Sequence, residues 1–166
     1  MPTINITADD VYAALRSFIL SMVVIDGSKV IQGLTNRAAM PSGDFIAMTM
    51  LYSNRLATNS SAYTEDTQTV TKRHDVAIQI DCYGLQAFEW ATMLSTLLRD
   101  DIGNMAFPAD IQPLHADDPK QMAIVNAEQQ YEQRWMVESR FQINSAISLT
   151  IETANVLGEV TLYPTL

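Results

Sequence analysis

The longest regular pattern in the sequence lies near its C-terminal end. From Trp135 to Ile151 seven large apolar residues occupy odd positions, namely Trp135, Val137, Phe141, Ile143, Ile147, Leu149 and Ile151, and polar residues fill most of the even ones. A period of two is typical of a β-strand with one buried face. The pattern runs for roughly three times the ~5–6 residues of an ordinary strand. Since such a strand extends past its own core, we expect its overhang to pair with a neighbouring subunit.

Two earlier segments show the same alternation. From Asp44 onward one face carries Ile46, Met48, Met50 and Tyr52, and the other carries Ala47, Thr49 and Ser53. The polar segment 54–66 is predicted to be a flexible hairpin tip. The next strand has an inward face with Val70, Val76, Ile78, Ile80 and Cys82, and an outward face with Thr71, Arg73, Asp75, Gln79 and Asp81. We expect these two strands to form one long hairpin.

Apolar spacings of three and four predict two helices. The first covers about residues 8–24, begins after Thr7 with two acids, and has one apolar face formed by Val11, Leu15, Phe18, Ile19 and Met22. The second begins at Gly84 and ends near Arg99; its apolar positions are Leu85, Phe88, Ala91, Leu94, Leu97 and Leu98. Residues 103–120 are predicted to be a loop, 122–125 a short strand, and 155–166 a C-terminal arm.

The order helix, strand, strand, helix, strand predicts the fold class. We expect one α+β domain over residues 1–166, with a mainly antiparallel sheet of long strands and two helices packed on one face. The 166 residues suit a single domain that buries its core without metals or disulfides.

Composition excludes several classes of protein. The chain is 48% hydrophobic, which excludes a disordered chain, and its net charge of −9 removes the basic footprint of a sequence-specific duplex-binding protein. The single cysteine, Cys82, excludes a disulfide framework and a multi-thiolate zinc site, and we expect it to be a buried apolar residue. The most apolar window, Phe18 to Ile25, is far shorter than the ~20 residues of a membrane helix. We expect a soluble protein, with no membrane partner.

Candidate chemistry is sparse. His74 and Asp75 are strand neighbours on opposite faces, so they cannot act as a dyad. His115 with Asp110, Asp117 and Asp118 forms either a metal site or, as we favour, a solvated acidic loop. The segment 26–29 is interpreted as a turn, and the pairs 9–10 and 100–101 as helix-end acids. We predict no catalytic, cofactor-binding or metal-binding residue.

The segment from Glu128 to Trp135 leaves two interpretations open. It is either an amphipathic strand with one buried tryptophan or a recognition edge, since Tyr, Trp and Arg are the residues that anchor interfaces.

Three stretches carry a resemblance to a known family. They are Asp75 to Gly84 running on through 87–91 and 97–100, then Pro113 to Pro119, and last Asn126 to Trp135. In this order and spacing they resemble the neck or tail terminator proteins of tailed bacteriophages, over about residues 70–150.

The resemblance implies a structural virion protein without catalytic residues or cofactors. Such a protein forms a ring, expected to be a homohexamer. It caps the head-proximal end of the tail tube and joins it to the neck or connector proteins below the portal. Genomic DNA passes through without sequence-specific binding, and assembly takes place in the host cytoplasm. The alternatives are a head-completion (connector) or tail-tube protein and, more distantly, a small metal-dependent enzyme with an acidic site at 110–118.

Overall fold

The structure is a computed structural model that describes residues 2–34, 40–122, 124–125 and 131–152. Its helices are α1 (Ala8–Met22), α2 (Ala87–Leu97) and α3 (Asp101–Ala106), with a 3₁₀ turn at Gly27–Lys29. Its strands are β1 (Thr3–Ile4), β2 (Val30–Gln32), β3 (Phe45–Arg55), β4 (Ser60–Tyr63), β5 (Thr67–Tyr83), β6 (Ile111–Ala116), β7 (Lys120–Gln121), β8 (Ile124–Val125), β9 (Tyr131–Glu132) and β10 (Arg134–Thr150). All of them except the β8–β9 pair belong to one sheet, so the α+β prediction is confirmed.

The sheet is built around two 17-residue strands, β5 and β10. They pair antiparallel along their whole length, from Arg134 opposite Tyr83 to Thr150 opposite Thr67. The far edge of β10 carries β7, β6 and β1 in turn, and the far edge of β5 carries β3 and β4. The overhang of β10 is therefore paired inside the chain, with β5 on one side and β1 on the other, and not with a neighbouring subunit as expected.

One face of the sheet carries the helices and the main core. Helix α1 begins with a capping box in which the Asp10 backbone N–H donates to Thr7 Oγ1 (3.3 Å) and the Thr7 N–H donates to Asp10 Oδ2 (2.7 Å). The helix ends at Met22, two residues before the predicted end. The fully buried side chains of this core include Leu15, Phe18, Ile19, Ile78, Ile80, Val137 and Phe141.

The predicted loop over 103–120 is wrong for much of its length. Asp100 caps a third helix, α3, which ends at Ala106, and from Ile111 the chain forms β6 along the edge of β10. Pro113 lies inside β6, which pairs with β10 alone. An edge strand tolerates a proline because the missing N–H faces away from its partner. The proline content that suggested a loop is therefore compatible with a strand at this position.

A bulge in β3 corrects the predicted facing of two residues. Met50 lies opposite Ile78, but Tyr52 lies opposite Ala77, so one extra residue stands between them on β3. Tyr52 therefore lies on the face away from the helices, where its hydroxyl reaches Glu138 Oε1 at 3.5 Å. Ser53 lies opposite Val76 on the helix side.

The predictions for the remaining segments have different outcomes. The predicted hairpin tip 54–66 contains β4, and the predicted short strand over 122–125 contains β8. The predicted C-terminal arm, 155–166, lies outside the described residues, as do residues 126–130. Within the described ranges no helix has the length and apolar character that crossing a bilayer requires.

Candidate functional site

The outer face is the side of the sheet that faces away from α1 and α2. Two aspartates of β5 lie on it, and each receives an arginine from β10. Arg134 Nε donates to Asp81 Oδ1 at 3.0 Å, and Arg140 Nε donates to Asp75 Oδ1 at 3.1 Å. A second bond joins Arg140 Nη2 to Asp75 Oδ2. The outward direction predicted for both aspartates is correct, and both side chains are nevertheless buried, since Asp75 and Asp81 are only 3% and 4% exposed.

Both ion pairs are asymmetric in their exposure. The carboxylates are buried, while the Arg134 and Arg140 side chains keep 22% and 46% of their surface in solvent. The hydrogen bond to Asp75 and its charge raise the pKa of Arg140. Burial acts to lower the pKa of Arg134, but its hydrogen bond to Asp81 and the charge of that residue outweigh this effect and raise it. The arginines thus neutralise carboxylates that would be costly to bury alone.

A groove crosses the outer face beside the Asp81–Arg134 pair. It has a volume of about 420 Å³, and its lining includes Ile31, Met40, Thr49, Gln79 and Arg134. At its end the rings of Phe45 and Tyr83 stack with centroids 4.2 Å apart. Gln79 Nε2 donates to Asp81 Oδ2 at 2.7 Å, so both oxygens of this carboxylate are engaged. The Asp81 carboxylate is therefore held by side chains of the protein on both of its oxygens.

The overhang is the end of the sheet beyond the helices. It consists of β4, residues 67–73 of β5 and residues 144–150 of β10. Every residue of β4 is exposed, and β4 pairs with β5 on one side. The stretch from Leu56 to Thr64 contains no charged residue. Proteins usually protect such edges with lysine, proline or a covering segment, because an open edge pairs with other chains.

Helix α2 adds an exposed apolar surface on the other side of the molecule. Phe88 and Met93 are 48% and 41% exposed, and they line a shallow apolar groove with Thr92 and Thr96. Glu89 is the one charged residue within α2. Exposed apolar surfaces of this kind are typical of contact sites for other molecules.

The histidines and loop acids that the sequence suggested do not converge. His74 lies on the helix side, with Nδ1 2.9 Å from Ser53 Oγ, while Asp75 points to the outer face. Near the end of β6, His115 Nε2 lies 3.4 Å from Oδ1 of Asp117, which belongs to the loop after this strand.

The loop acids have basic partners instead. Lys120 Nζ lies 3.0 Å from Asp117, and Arg99 lies 3.0 Å from Asp118. The hydrogen bond from Lys120 lowers the pKa of Asp117. In the part of the chain that is described, no three His, Cys, Asp or Glu residues are grouped so that they could hold a metal ion.

Cys82 and Trp135 both contribute their side chains to the packing of the apolar core. Burial, with a smaller contribution from the charge of Asp81, raises the pKa of Cys82 to about 12, so the thiol stays protonated at neutral pH. Trp135 packs against the core, and its ring lies 4.8 Å from that of Phe88. Its neighbour Arg134 points to the outer face, so this end of the Glu128 to Trp135 segment contributes both a packed tryptophan and a surface arginine.

Neither Asp75 nor Asp81, considered alone in the sequence, indicates that its side chain is buried. A signal exists in their pairing, because Asp75, Asp81, Arg134 and Arg140 all occupy the outward positions of two adjacent strands.

Comparison with known protein families gives a match over most of the chain. The family described as phage neck terminator protein matches residues 9–164. No curated protein matches the sequence. The matched range includes the helices, both long strands and the outer face, and the chain therefore belongs to the phage neck terminator protein family.

Proposed function

We propose that this protein assembles into a closed ring, of six copies, that caps the head-proximal end of the tail tube and joins it to the connector proteins below the portal. As a member of its family it is a structural protein of the phage neck and tail. The ring, its copy number and its two partners are the parts that we infer.

The outer edge of β4, which is uncharged and has no partner strand among the described residues, is the observation that supports the ring most directly. In a head-to-tail ring every edge meets the next copy, so closure leaves none exposed. Each subunit carries a net charge of −9, and repulsion opposes the approach of acidic subunits. The uncharged stretch from Leu56 to Thr64 is a part of the surface where two copies can approach without this cost.

The contacts that the basic residues make within the protein support the proposal that DNA passes through the ring without binding to it. The chain has 10 Lys and Arg residues against 19 acids. Arg99, Lys120, Arg134 and Arg140 are held in ion pairs, and Arg16, Lys29 and Arg55 donate to backbone carbonyls. Cations that already hold a carboxylate or a backbone carbonyl are less available to replace the counterions of a DNA phosphate. We infer that the lumen of the ring repels DNA.

Two measurements on one sample of the purified protein test the proposal. Light scattering gives the mass of the particles, and negative-stain images give their shape. We expect closed rings, or a monomer that forms rings on the ends of added tail tubes. Open fibres would identify a tube protein instead, and rings that bind the portal connector but not the tube would identify a head-completion protein. A monomer that stays single with tubes and connectors present would overturn the proposal.

A further inference from the structure

The helix side of the overhang is an apolar face that no helix of the described chain covers. Strands β5 and β10 pair without a shift of register, so the face that carries Ile78 and Val137 in the core continues into the overhang. The apolar residues on this part of the face are Ile4, Tyr63, Val70, Ile147 and Leu149. Three of them, Ile4, Tyr63 and Ile147, are 48%, 66% and 39% exposed. A sheet whose face is apolar normally buries that face against another layer.

Helix α2 has an apolar outer side that no other described element covers. Its inner side packs in the core, where Leu94 is fully buried. Its outer side carries Phe88, Thr92 and Thr96, which are four residues apart along the helix and therefore share one face. Leu85, one turn before Phe88, is 83% exposed and extends this side. We call the outer side of the helix the α2 face. It needs a surface to cover it, as the overhang does.

The two apolar surfaces lie too far apart to meet within one molecule. The ring of Phe88 lies 4.8 Å from that of Trp135, near the start of β10. Ile147 lies twelve residues further along the same strand, which is about 40 Å at about 3.3 Å per residue. Both regions are fixed to one continuous sheet, so neither can move to the other. Two copies placed head to tail bring the α2 face of one onto the overhang of the other, and a single contact then covers both surfaces.

The dimensions of the two surfaces match. Helix α2 has 11 residues and is therefore about 16 Å long, and a helix with its side chains is about 10–12 Å across. The part of β10 in the overhang, residues 144–150, is about 23 Å long at about 3.3 Å per residue. Strands β1, β10, β5 and β4 lie side by side there, and their spacing of about 4.8 Å gives a width of about 14 Å. The overhang therefore has room for one helix of this length.

Each surface carries one charged residue, and the two charges are opposite. On the helix side of the overhang this residue is Lys72, which lies opposite Ser145. On the α2 face it is Glu89. Neither is held in an ion pair among the described residues. Copies with a net charge of −9 repel one another overall, whereas this contact joins a cation to an acid. The complementary charges favour a second copy as the occupant of the overhang.

We propose that the α2 face of one copy packs on the helix side of the overhang of the next copy, with Thr92 near Ile147 at the centre of the contact and Glu89 within reach of Lys72. This inference rests on the ring proposed above and names the two surfaces through which its subunits meet. The other possible occupants of the overhang are the chain's own segment 153–166 and a different protein, and either of them would leave the α2 face uncovered.

Cysteine cross-linking of the full-length protein tests the contact. Cys82 is buried and its pKa is raised to about 12, so only introduced cysteines react. Copies with Thr92→Cys are mixed with copies with Ile147→Cys in the presence of tail tubes, treated with a short bismaleimide and separated on a denaturing gel. We expect a covalent dimer in the mixture and little from either variant alone. Ser148→Cys is the matched control for Ile147→Cys, because Ser148 is also exposed but lies on the outer face, and it should give several-fold less dimer.

A double variant, Thr92→Cys with Ile147→Cys, tests the head-to-tail arrangement. We expect a ladder of linked copies, whereas a product that stops at the dimer would indicate a two-fold contact and overturn the proposal. Absence of the dimer in the mixture, or equal dimer with Ser148→Cys, would also overturn it and would leave the overhang to segment 153–166 or a different protein. Light scattering and negative-stain images of the same samples keep the two proposals apart. Rings without a cross-link contradict only this contact, and a ladder from copies that form open fibres contradicts only the terminator function.

Reversal of the two charges provides a second test, with assembly followed by light scattering over a dilution series. Lys72→Glu places two acids at the contact and should weaken assembly several-fold. Arg73→Glu makes the same change of net charge on the outer face, so it should weaken assembly less. The variant with both Lys72→Glu and Glu89→Lys has the opposite charges in exchanged positions, and its assembly should recover. Failure of Glu89→Lys to restore assembly would overturn the placement of these two residues beside each other.

Discussion

Arg140 reaches Asp75 diagonally across the two long strands. Arg140 lies opposite Ala77, and Asp75 lies opposite Gln142, so the ion pair is offset by one step of two residues. Arg134 reaches Asp81 with the same offset, six residues later on β5 and six residues earlier on β10. A slip of one residue between β5 and β10 would move both aspartates into the apolar helix side. The repeated diagonal therefore helps to fix the register of these strands.

Replacement of Arg134 by alanine should destabilise the protein. The variant leaves the carboxylate of Asp81, which is 4% exposed, without its charged partner. Loss of one partner of a buried polar pair costs about 1–3 kcal/mol in the free energy of unfolding. Urea denaturation followed by circular dichroism measures this loss. Arg73→Ala is the matched control, because Arg73 is an exposed arginine on the same face of β5. Equal losses in the two variants would show that the buried pair has no special role.

The sequence predicted the elements with a clear period and missed those decided by pairing. The alternation from Trp135 to Ile151 and the helical spacing from Val11 to Met22 each bury one face, so each is visible in a single segment. Strand β6 was missed because its proline is tolerated only at a sheet edge. The bulge before Tyr52 was missed because alternation alone carries no record of an extra residue. The buried state of Asp75 depends on an arginine 65 positions away.

Stability should fall at alkaline pH because of Cys82. In the folded protein the pKa of this thiol is raised from 9.0 to about 12. The neutral thiol therefore makes its full contribution to stability below about pH 9. This contribution is lost as the pH rises from 9 toward 12, because in this range the thiol ionises in the unfolded chain but not in the folded protein. The loss approaches about 1.4 kcal/mol for each pH unit in this window.

Urea denaturation across this pH range checks the prediction, with Cys82→Ala as the comparison. The variant is less stable at neutral pH because it leaves a small cavity, but its stability should fall less steeply above pH 9. Stabilities that fall equally steeply with pH in the two proteins would contradict the assignment of this pH dependence to Cys82.

Gly84→Ala should destabilise the turn between β5 and α2 more than Gly43→Ala does. Both glycines have a positive φ, of 99° and 75° respectively, which costs other residues about 1–2 kcal/mol. At Gly84 an added Cβ would also lie 1.8 Å from Asp44 Oδ1, whereas at Gly43 it would meet nothing within 4 Å. Asp44 Oδ1 accepts from the Leu85 N–H at 2.9 Å, so the clash also disturbs the start of α2. Thermal denaturation of the two variants measures the difference, and a smaller loss at Gly84 would contradict the steric argument.

Ala62→Lys should prevent ring formation without unfolding the subunit. Ala62 is exposed on β4, whose outer edge is open among the described residues, so the lysine removes no core contact. A charge on an edge strand opposes pairing with another chain. Light scattering should give the mass of a monomer, or of a much weaker assembly, with an unchanged melting temperature. Thr150→Lys is the control, because it places the same charge on exposed overhang in β10, away from the β4 edge. Rings formed equally by both variants would mean that the subunits meet through another surface, and the exposed apolar face of α2 would be the next to change.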